Sequence, residues 1–135
     1  MERTMIKRKA TIAIDFDGVL HSFKSGWQGH RKISDPPVDG AIEWLRMLIH
    51  SDKVVPSIYS ARSWKLFGNR RIKKWLIKYG LTKEEVKQLK FWLCKPTDDF
   101  ILDDRCRRFR GTFPSVDKIV RFEPWHGHGV FGDKQ

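Results

Sequence analysis

The stretch that most constrains the fold of this chain is 10–18, a short apolar run that ends in two carboxylates and a glycine. The apolar part is β-prone, as is typical of an inner strand of a sheet. Side chains alternate along a strand, so Asp15 and Asp17 would leave it on the same side. Gly18 allows a sharp turn directly after them. Because open α/β sheets bind ligands where their strands end, the stretch predicts an acidic site at a sheet edge.

Two neighbouring carboxylates repel each other unless a cation lies between them. The pair Asp15 and Asp17 therefore indicates a metal ion or a cation bound to phosphate. Taken alone, the pattern Asp-x-Asp-Gly is equally consistent with an ordinary turn, because aspartates before a glycine are common in turns. The interpretation depends on the rest of the chain.

The composition predicts one globular domain over residues 1–135, with a core at about 8–123 between basic amino-terminal residues and a glycine-rich tail. No apolar run reaches the roughly 20 residues of a membrane span, and the amino terminus lacks the apolar segment of a secretory signal. Cys94 and Cys106 are too few for a disulfide framework, so we expect a cytoplasmic protein with two buried, inert thiols.

The formal net charge of +11 and the pI near 10.0 favour polyanionic partners. Nucleic acid is the first choice and an anionic membrane surface the second, while a basic face that serves only solubility is the alternative. We expect no membrane insertion, and a monomer or weak dimer.

Helical periodicity and turn signals predict the remaining elements. Residues 20–37 read as a loop over the acidic site, to which it would contribute Trp27, His30, Arg31 and Lys32. Trp27 would either stack on a base or pack under its own loop. The expected helices are 39–50 with Asp39 as its cap, 70–79 with a basic outer face, and a short helix opened by the capping box Thr82–Glu85. The expected further strands are 54–60, 91–94, 100–102 and 119–122.

Polar residues follow several of these strands. Ser60 and Arg62 come after the second strand and are suited to holding a phosphate oxygen, although such a serine is also common in turns. Asp103 and Asp104 follow the strand 100–102, which repeats the pattern of the first strand, and a basic cluster begins at Arg105. His126 and His128 lie in the tail, where we expect them to be exposed to solvent.

This order of motifs resembles the haloacid dehalogenase superfamily of phosphohydrolases, over most of the chain. Asp15-Phe16-Asp17-Gly18-Val19 is similar to the first motif, Ser60 to the second, Lys95 to the third and Asp103-Asp104 to the fourth. Lys95 lies closer to the fourth motif than in many members, and Lys90 is the alternative. The resemblance implies an α/β fold: a three-layer α/β/α Rossmann-like sandwich with a central parallel sheet and no large cap domain, as in small bacterial and phage members.

The resemblance also implies roles. Asp15 would be the nucleophile that forms an aspartyl-phosphate, and Asp17 the general acid and base. Mg²⁺ would be held by Asp15, the backbone carbonyl of Asp17 and Asp103, with Asp104 supporting them. Ser60 and Lys95 would hold the phosphoryl oxygens. The other expected substrate contacts are Trp27, Arg62 and Arg105.

The chain has no room for a large cap, so the site would be open. Together with the positive charge, this favours a phosphate on a nucleic-acid end, as in a 3′-phosphatase, or on a nucleotide. The alternatives are a small-molecule phosphatase such as a 5′-nucleotidase, and an inactive nucleic-acid-binding module that keeps the fold.

Overall fold

A computed structural model of the protein describes residues 8–127. The strands are β1 (Ala10–Asp15), β2 (Val54–Tyr59), β3 (Lys90–Trp92) and β4 (Phe100–Leu102). The helices are α1 (Ala41–Ile49), α2 (Gly68–Lys78), α3 (Lys83–Lys87) and α4 (Val116–Val120), with a 3₁₀ turn at Ala61–Trp64.

The strands form a parallel sheet in the order β3-β2-β1-β4, which confirms the predicted α/β class. Asp15 at the end of β1 is paired with Tyr59 at the end of β2, and Ile14 with Leu102 at the end of β4. The three strands therefore end at one edge. The residues that follow them, Ser60 and Asp103, are brought to the same edge as Asp15.

The core lies against the sheet face that carries Ile14 and Ile58. Leu45 of α1 and Leu76 of α2 are fully buried in the same cluster. Successive steps from β1 to β2 to β3 run in one direction, so right-handed crossovers bring α1 and α2 to this one face. The connection 93–99 returns to β4 across the other face, where Asp98 accepts a hydrogen bond of 2.8 Å from the Ser57 hydroxyl.

The predicted loop and helices are found with small changes at their ends. Residues 20–37 are irregular, as expected. The capping box is confirmed: the Thr82 hydroxyl accepts from the Glu85 amide, and the Glu85 carboxylate accepts from the Thr82 amide. The predicted cap at Asp39 is wrong, because the residue before α1 is Gly40. Its φ of 81° is left-handed, and no side chain caps the first turn of the helix.

The predicted strand 119–122 is wrong, because the chain there is the helix α4. The Ser115 hydroxyl caps α4 by accepting a hydrogen bond from the Lys118 amide. Val116, Ile119 and Val120 recur at helical spacing, and a short apolar run cannot be assigned to strand or helix by periodicity alone. No residue of α4 is buried.

Both thiols are exposed, which contradicts the prediction that they are buried. The reason for Cys94 is that β3 ends at Trp92, so this residue belongs to the irregular connection and not to a strand. Cys106 lies in the exposed segment after β4. Across residues 8–127, the helices are too short and too polar for any of them to cross a bilayer.

Candidate active site

Three carboxylates meet at the edge of the sheet where the strands end. Asp15 closes β1, while Asp103 and Asp104 follow β4 directly. One oxygen from each of the three lies within 4.8 Å of the others. The sequence predicted this grouping, because parallel strands that pair in register bring the residues after them together.

The cluster is electrostatically strained. Burial, a hydrogen bond shared with Asp104 and repulsion by Asp103 raise the pKa of Asp15 to about 10. A carboxyl group in such a place is stabilised either by a proton or by a cation. Three carboxylates at this spacing form the hard oxygen donor set that Mg²⁺ prefers, so the residues fit the metal that the resemblance implies.

Neighbouring side chains fix the two aspartates that follow β4. The Tyr59 hydroxyl donates a hydrogen bond to Asp103, and burial together with this bond raises the pKa of Tyr59, so the donor stays protonated. His126 Nε2 pairs with the Asp104 carboxylate. Trp125 Nε1 donates to the backbone carbonyl of Gly18. The segment around Trp125 therefore packs onto the turn that follows Asp15.

His126 is not the exposed tail residue that the sequence analysis predicted, because its side chain is 1% exposed and in contact with Asp104. Its ring also packs edge to face against Phe23, at 5.3 Å between ring centres. His128 lies outside the described residues. The composition of the tail offered one signal for this docking, since Pro124, Trp125 and His126 are not the residues of a solvated glycine-rich segment.

Asp17 lies apart from the three-carboxylate cluster and is held by Arg62 and His21. Arg62 donates to both oxygens of Asp17, with the shortest distance 2.9 Å from Nε to Oδ2. His21 Nε2 accepts a hydrogen bond from the Asp35 amide, so its Nδ1 carries the proton and donates to Asp17 Oδ1 at 2.8 Å. These donors fix the Asp17 side chain in one orientation.

Arg62 differs from its predicted role as a phosphate ligand. Its side chain is fully buried, and its Nη1 donates to the backbone carbonyls of Gly29, His30 and Lys32. It thus ties the loop 29–32 to Asp17, and its guanidinium has no free face toward a ligand in this arrangement. Nothing in the sequence distinguished Arg62 from an arginine that faces a phosphate.

A cavity of about 390 Å³ opens onto the cluster. Four predicted site residues besides Asp15 and Asp103 line it: Asp17, Trp27, Ser60 and Arg105. Trp27 is half exposed, and the Arg62 guanidinium carbon lies 4.7 Å from the centre of its ring. The indole is therefore held over the cavity by Arg62 and still presents surface to solvent. Arg31 and Lys32 are exposed, and His30 is half-buried.

Ser60 is buried, and its hydroxyl oxygen accepts a hydrogen bond of 3.1 Å from the Arg62 amide. Its hydroxyl proton remains for a ligand oxygen. Lys95 is exposed and lines a neighbouring cavity of about 350 Å³ with Trp64 and Trp92. Ser60 lines both cavities and so lies at their boundary, whereas Lys95 lines only the cavity that lies away from the carboxylates.

Fold and site together define an α/β protein with an acidic cluster at the carboxyl edge of a parallel sheet. Comparison of the chain with protein-family models, curated proteins and solved structures gives no match. The functional argument therefore depends on the chemistry of the site.

Proposed function

We propose that the protein is a Mg²⁺-dependent phosphomonoester hydrolase of the haloacid dehalogenase type, on a Rossmann-like fold. The observation that carries the proposal is the cluster of Asp15, Asp103 and Asp104, whose oxygens lie within 4.8 Å at the end of the first strand. A carboxyl group whose pKa is raised to about 10 by burial and by its acidic neighbours becomes an anionic nucleophile only beside a cation.

Asp15 is the nucleophile. Its Oδ1 accepts a hydrogen bond of 2.9 Å from the Phe16 amide, which orients the carboxylate, and the proton that Asp15 shares with Asp104 has to leave before Oδ2 can attack. Oδ2 forms a bond to phosphorus while the ester oxygen leaves with its electron pair and takes up a proton. Water then attacks the aspartyl-phosphate, which releases inorganic phosphate and regenerates Asp15.

Asp17 is the group that moves protons. It is two residues from the nucleophile and lines the same cavity. It would give a proton to the leaving oxygen and then take one from the attacking water. Arg62 and His21 donate to both of its oxygens, so one of these hydrogen bonds has to give way when Asp17 carries a proton.

Asp15, Asp103 and Asp104, with the backbone carbonyl of Asp17, would hold Mg²⁺. When bound, the ion neutralises the carboxylates and polarises the phosphoryl group. Ser60 would donate its hydroxyl proton to a phosphoryl oxygen. Lys95 would have to turn its flexible side chain from the neighbouring cavity to do the same.

The substrate we favour is a phosphate on a nucleic-acid end, as for a 3′-phosphatase, or on a nucleotide. The cavity is lined by Trp27 and Arg105, which offer an aromatic surface and a cation beside the carboxylates. The net charge of +11 favours a polyanion. A small-molecule phosphatase with a basic surface is the second proposal.

The test is phosphate release with and without Mg²⁺ on a 3′-phosphorylated oligonucleotide, a nucleotide and an aryl phosphate. We expect Asp15→Asn to lose turnover by at least 10³-fold on all three, since it removes the nucleophile. Asp52→Asn, an exposed aspartate on the connection to β2, is the matched control and should retain activity.

Three outcomes separate the candidates. Faster turnover of the oligonucleotide that falls steeply with salt supports end processing. Equal turnover of all substrates without salt dependence supports the small-molecule phosphatase. Absence of turnover in a folded wild-type protein refutes the phosphatase and leaves a nucleic-acid-binding module.

A further inference from the structure

A second cavity of about 390 Å³ lies outside the carboxylate site, in the segment between β4 and the end of α4. We call its lining the 107–118 strip. The strip presents four cations and two aromatic rings: Arg107, Arg108, Arg110 and Lys118 with Phe109 and Phe113.

The cations of the strip are not neutralised by the part of the protein that the structure describes. No acidic residue lines the cavity, and none of the ion pairs described for residues 8–127 involves these four side chains. Asp117, the acid within the segment 107–118, lies 3.9 Å from Arg121 and does not line the cavity. A concave surface lined by one sign of charge concentrates ions of the opposite sign, so the strip is complementary to a polyanion.

The two rings narrow the choice of polyanion. Phe113 is 88% exposed and Phe109 61% exposed, and their centres are 5.2 Å apart. Exposed phenylalanines among arginines match a ligand that carries both phosphates and flat apolar faces. In a single-stranded nucleic acid the base faces are accessible for stacking, whereas in a duplex they are covered by the neighbouring pairs.

We propose that the 107–118 strip binds single-stranded nucleic acid, with its phosphates on the arginines and its bases on Phe109 and Phe113. Binding by the strip does not depend on the proposed phosphatase. The corollary that the bound strand presents its phosphorylated end to Asp15 does rest on that function.

The strip begins next to the carboxylate site. Arg105 lines the cavity above Asp15, and Arg107 lines the strip. Two residues of extended chain span at most about 7 Å. A single-stranded nucleic acid of a few nucleotides is therefore long enough to reach from one cavity to the other. The substrate that this placement favours is a single-stranded end.

The test measures the binding of a fluorescent, unphosphorylated 12-nucleotide oligothymidine to the full chain by anisotropy. This probe has no terminal phosphate to hydrolyse, so a failed phosphatase and a failed strip give different results. An abasic strand of equal charge and a blunt 12-base-pair duplex are the comparison ligands. We expect the oligothymidine to bind at least about tenfold more tightly than the abasic strand, since stacking on aromatic side chains contributes that much.

Two double variants test whether the oligonucleotide binds to the 107–118 strip. Phe109→Leu with Phe113→Leu keeps apolar volume but removes the aromatic faces, and it should abolish most of the preference over the abasic strand. Phe100→Leu, an exposed ring at the start of β4, is the matched control and should preserve it. Arg107→Gln with Arg110→Gln should reduce the slope of log K against log salt by roughly 0.7 for each phosphate that the protein no longer neutralises.

Several results of these measurements would overturn the proposal. Equal affinity for the abasic strand and oligothymidine shows that the rings are not used, and tighter binding of the duplex refutes a single-stranded ligand. Binding to vesicles with anionic phospholipid, without binding to oligothymidine, assigns the strip to a membrane surface. A dimer that Phe113→Asp dissociates, without loss of oligonucleotide binding, assigns it to a second copy of the chain.

Discussion

At the scale of single residues, Gly18 shows how closely the turn after β1 approaches the acidic cluster. Its φ is 86°, in the region that favours glycine. A Cβ at this position would contact the Asp104 carboxylate and lie 2.8 Å from His126 Nε2. The turn, Asp104 and His126 therefore form one packed unit, in which a side chain at position 18 has no space.

We expect Gly18→Ala to destabilise the protein by about 1–3 kcal/mol, through left-handed backbone strain and displacement of Asp104. Mg²⁺-dependent turnover should fall by more than tenfold. Gly29→Ala is the matched control, because Gly29 also has a positive φ, 97°, but nothing lies within 4 Å of its added Cβ. Thermal unfolding and phosphate release measure the two effects. Equal losses in both variants would show that backbone strain alone matters and that the contact with Asp104 does not.

Residue identity predicted which carboxylates meet, but not which groups hold them. Asp15 and Asp103 were assigned from strand ends, and the structure brings them together. The contacts of Arg62 with Asp17 and of His126 with Asp104 join positions far apart in the chain. Single charged residues carry no local pattern that identifies such partners, so their positions had to come from the fold.

At the scale of elements, Glu85 connects α3 to α1. Besides closing the capping box, its buried carboxylate accepts from Arg46 Nε at 3.0 Å and lies 2.8 Å from His50 Nε2. The bond from the Thr82 amide and the Arg46 and His50 side chains outweigh burial and lower the pKa of Glu85 to about 2. This side chain thus stabilises the junction of the two helices in its ionised form.

We expect Glu85→Gln to lower the free energy of unfolding by about 1–3 kcal/mol at neutral pH, because it removes a charged acceptor from a buried network. Since folding lowers the pKa of Glu85, its stabilisation is present above its ordinary pKa of 4.5 and is lost as the pH falls toward 2. The difference between wild type and variant should therefore shrink across this window. Urea unfolding from pH 7 to pH 2 measures it, with the exposed Glu84→Gln as the control. If the difference in unfolding free energy between wild type and Glu85→Gln does not change with pH, ionised Glu85 is not the source of the stabilisation.

Elements with a local signature were predicted well, and elements without one were not. The Thr82–Glu85 capping box is a four-residue pattern, and α3 begins where it indicates. Residues 119–122 were assigned to a strand because they are apolar and β-branched. Ile119 and Val120 are instead the end of α4, because Ser115 caps this helix and no strand in the described part of the protein pairs with the segment.

At the scale of the whole molecule, pairing in register explains why so much of the site was predicted. In a parallel sheet, the residues after each strand meet at one edge. Motifs that are far apart along the chain but follow neighbouring strands, such as Asp15 and Asp103, therefore lie close together. The position of Lys95 could not be predicted in this way. It lies on the irregular connection 93–99, whose path depends on how that segment crosses the sheet and not on strand register.

The charge distribution of the molecule predicts that its stability depends on a cation. The chain carries +11 overall, yet it concentrates Asp15, Asp103 and Asp104 at one edge. We expect Mg²⁺ at ten times its dissociation constant to stabilise the folded protein by about 1.4 kcal/mol, and to raise Tm by roughly 3–6 °C for a domain of this size. A chelator should reverse the shift.

Asp15→Asn tests whether this cluster is the origin of the effect. Without Mg²⁺, the variant should be more stable than wild type at neutral pH, because the raised pKa of Asp15 makes wild type take up a proton on folding, which an asparagine does not need. It should also lose most of the Mg²⁺-induced rise in Tm, while Asp52→Asn, remote from the cluster, should keep it. If wild type and Asp15→Asn gain equally from Mg²⁺, the ion binds elsewhere and the raised pKa of Asp15 reflects a proton held at neutral pH. If only wild type gains, Asp15 exchanges that proton for the metal that the proposed reaction requires.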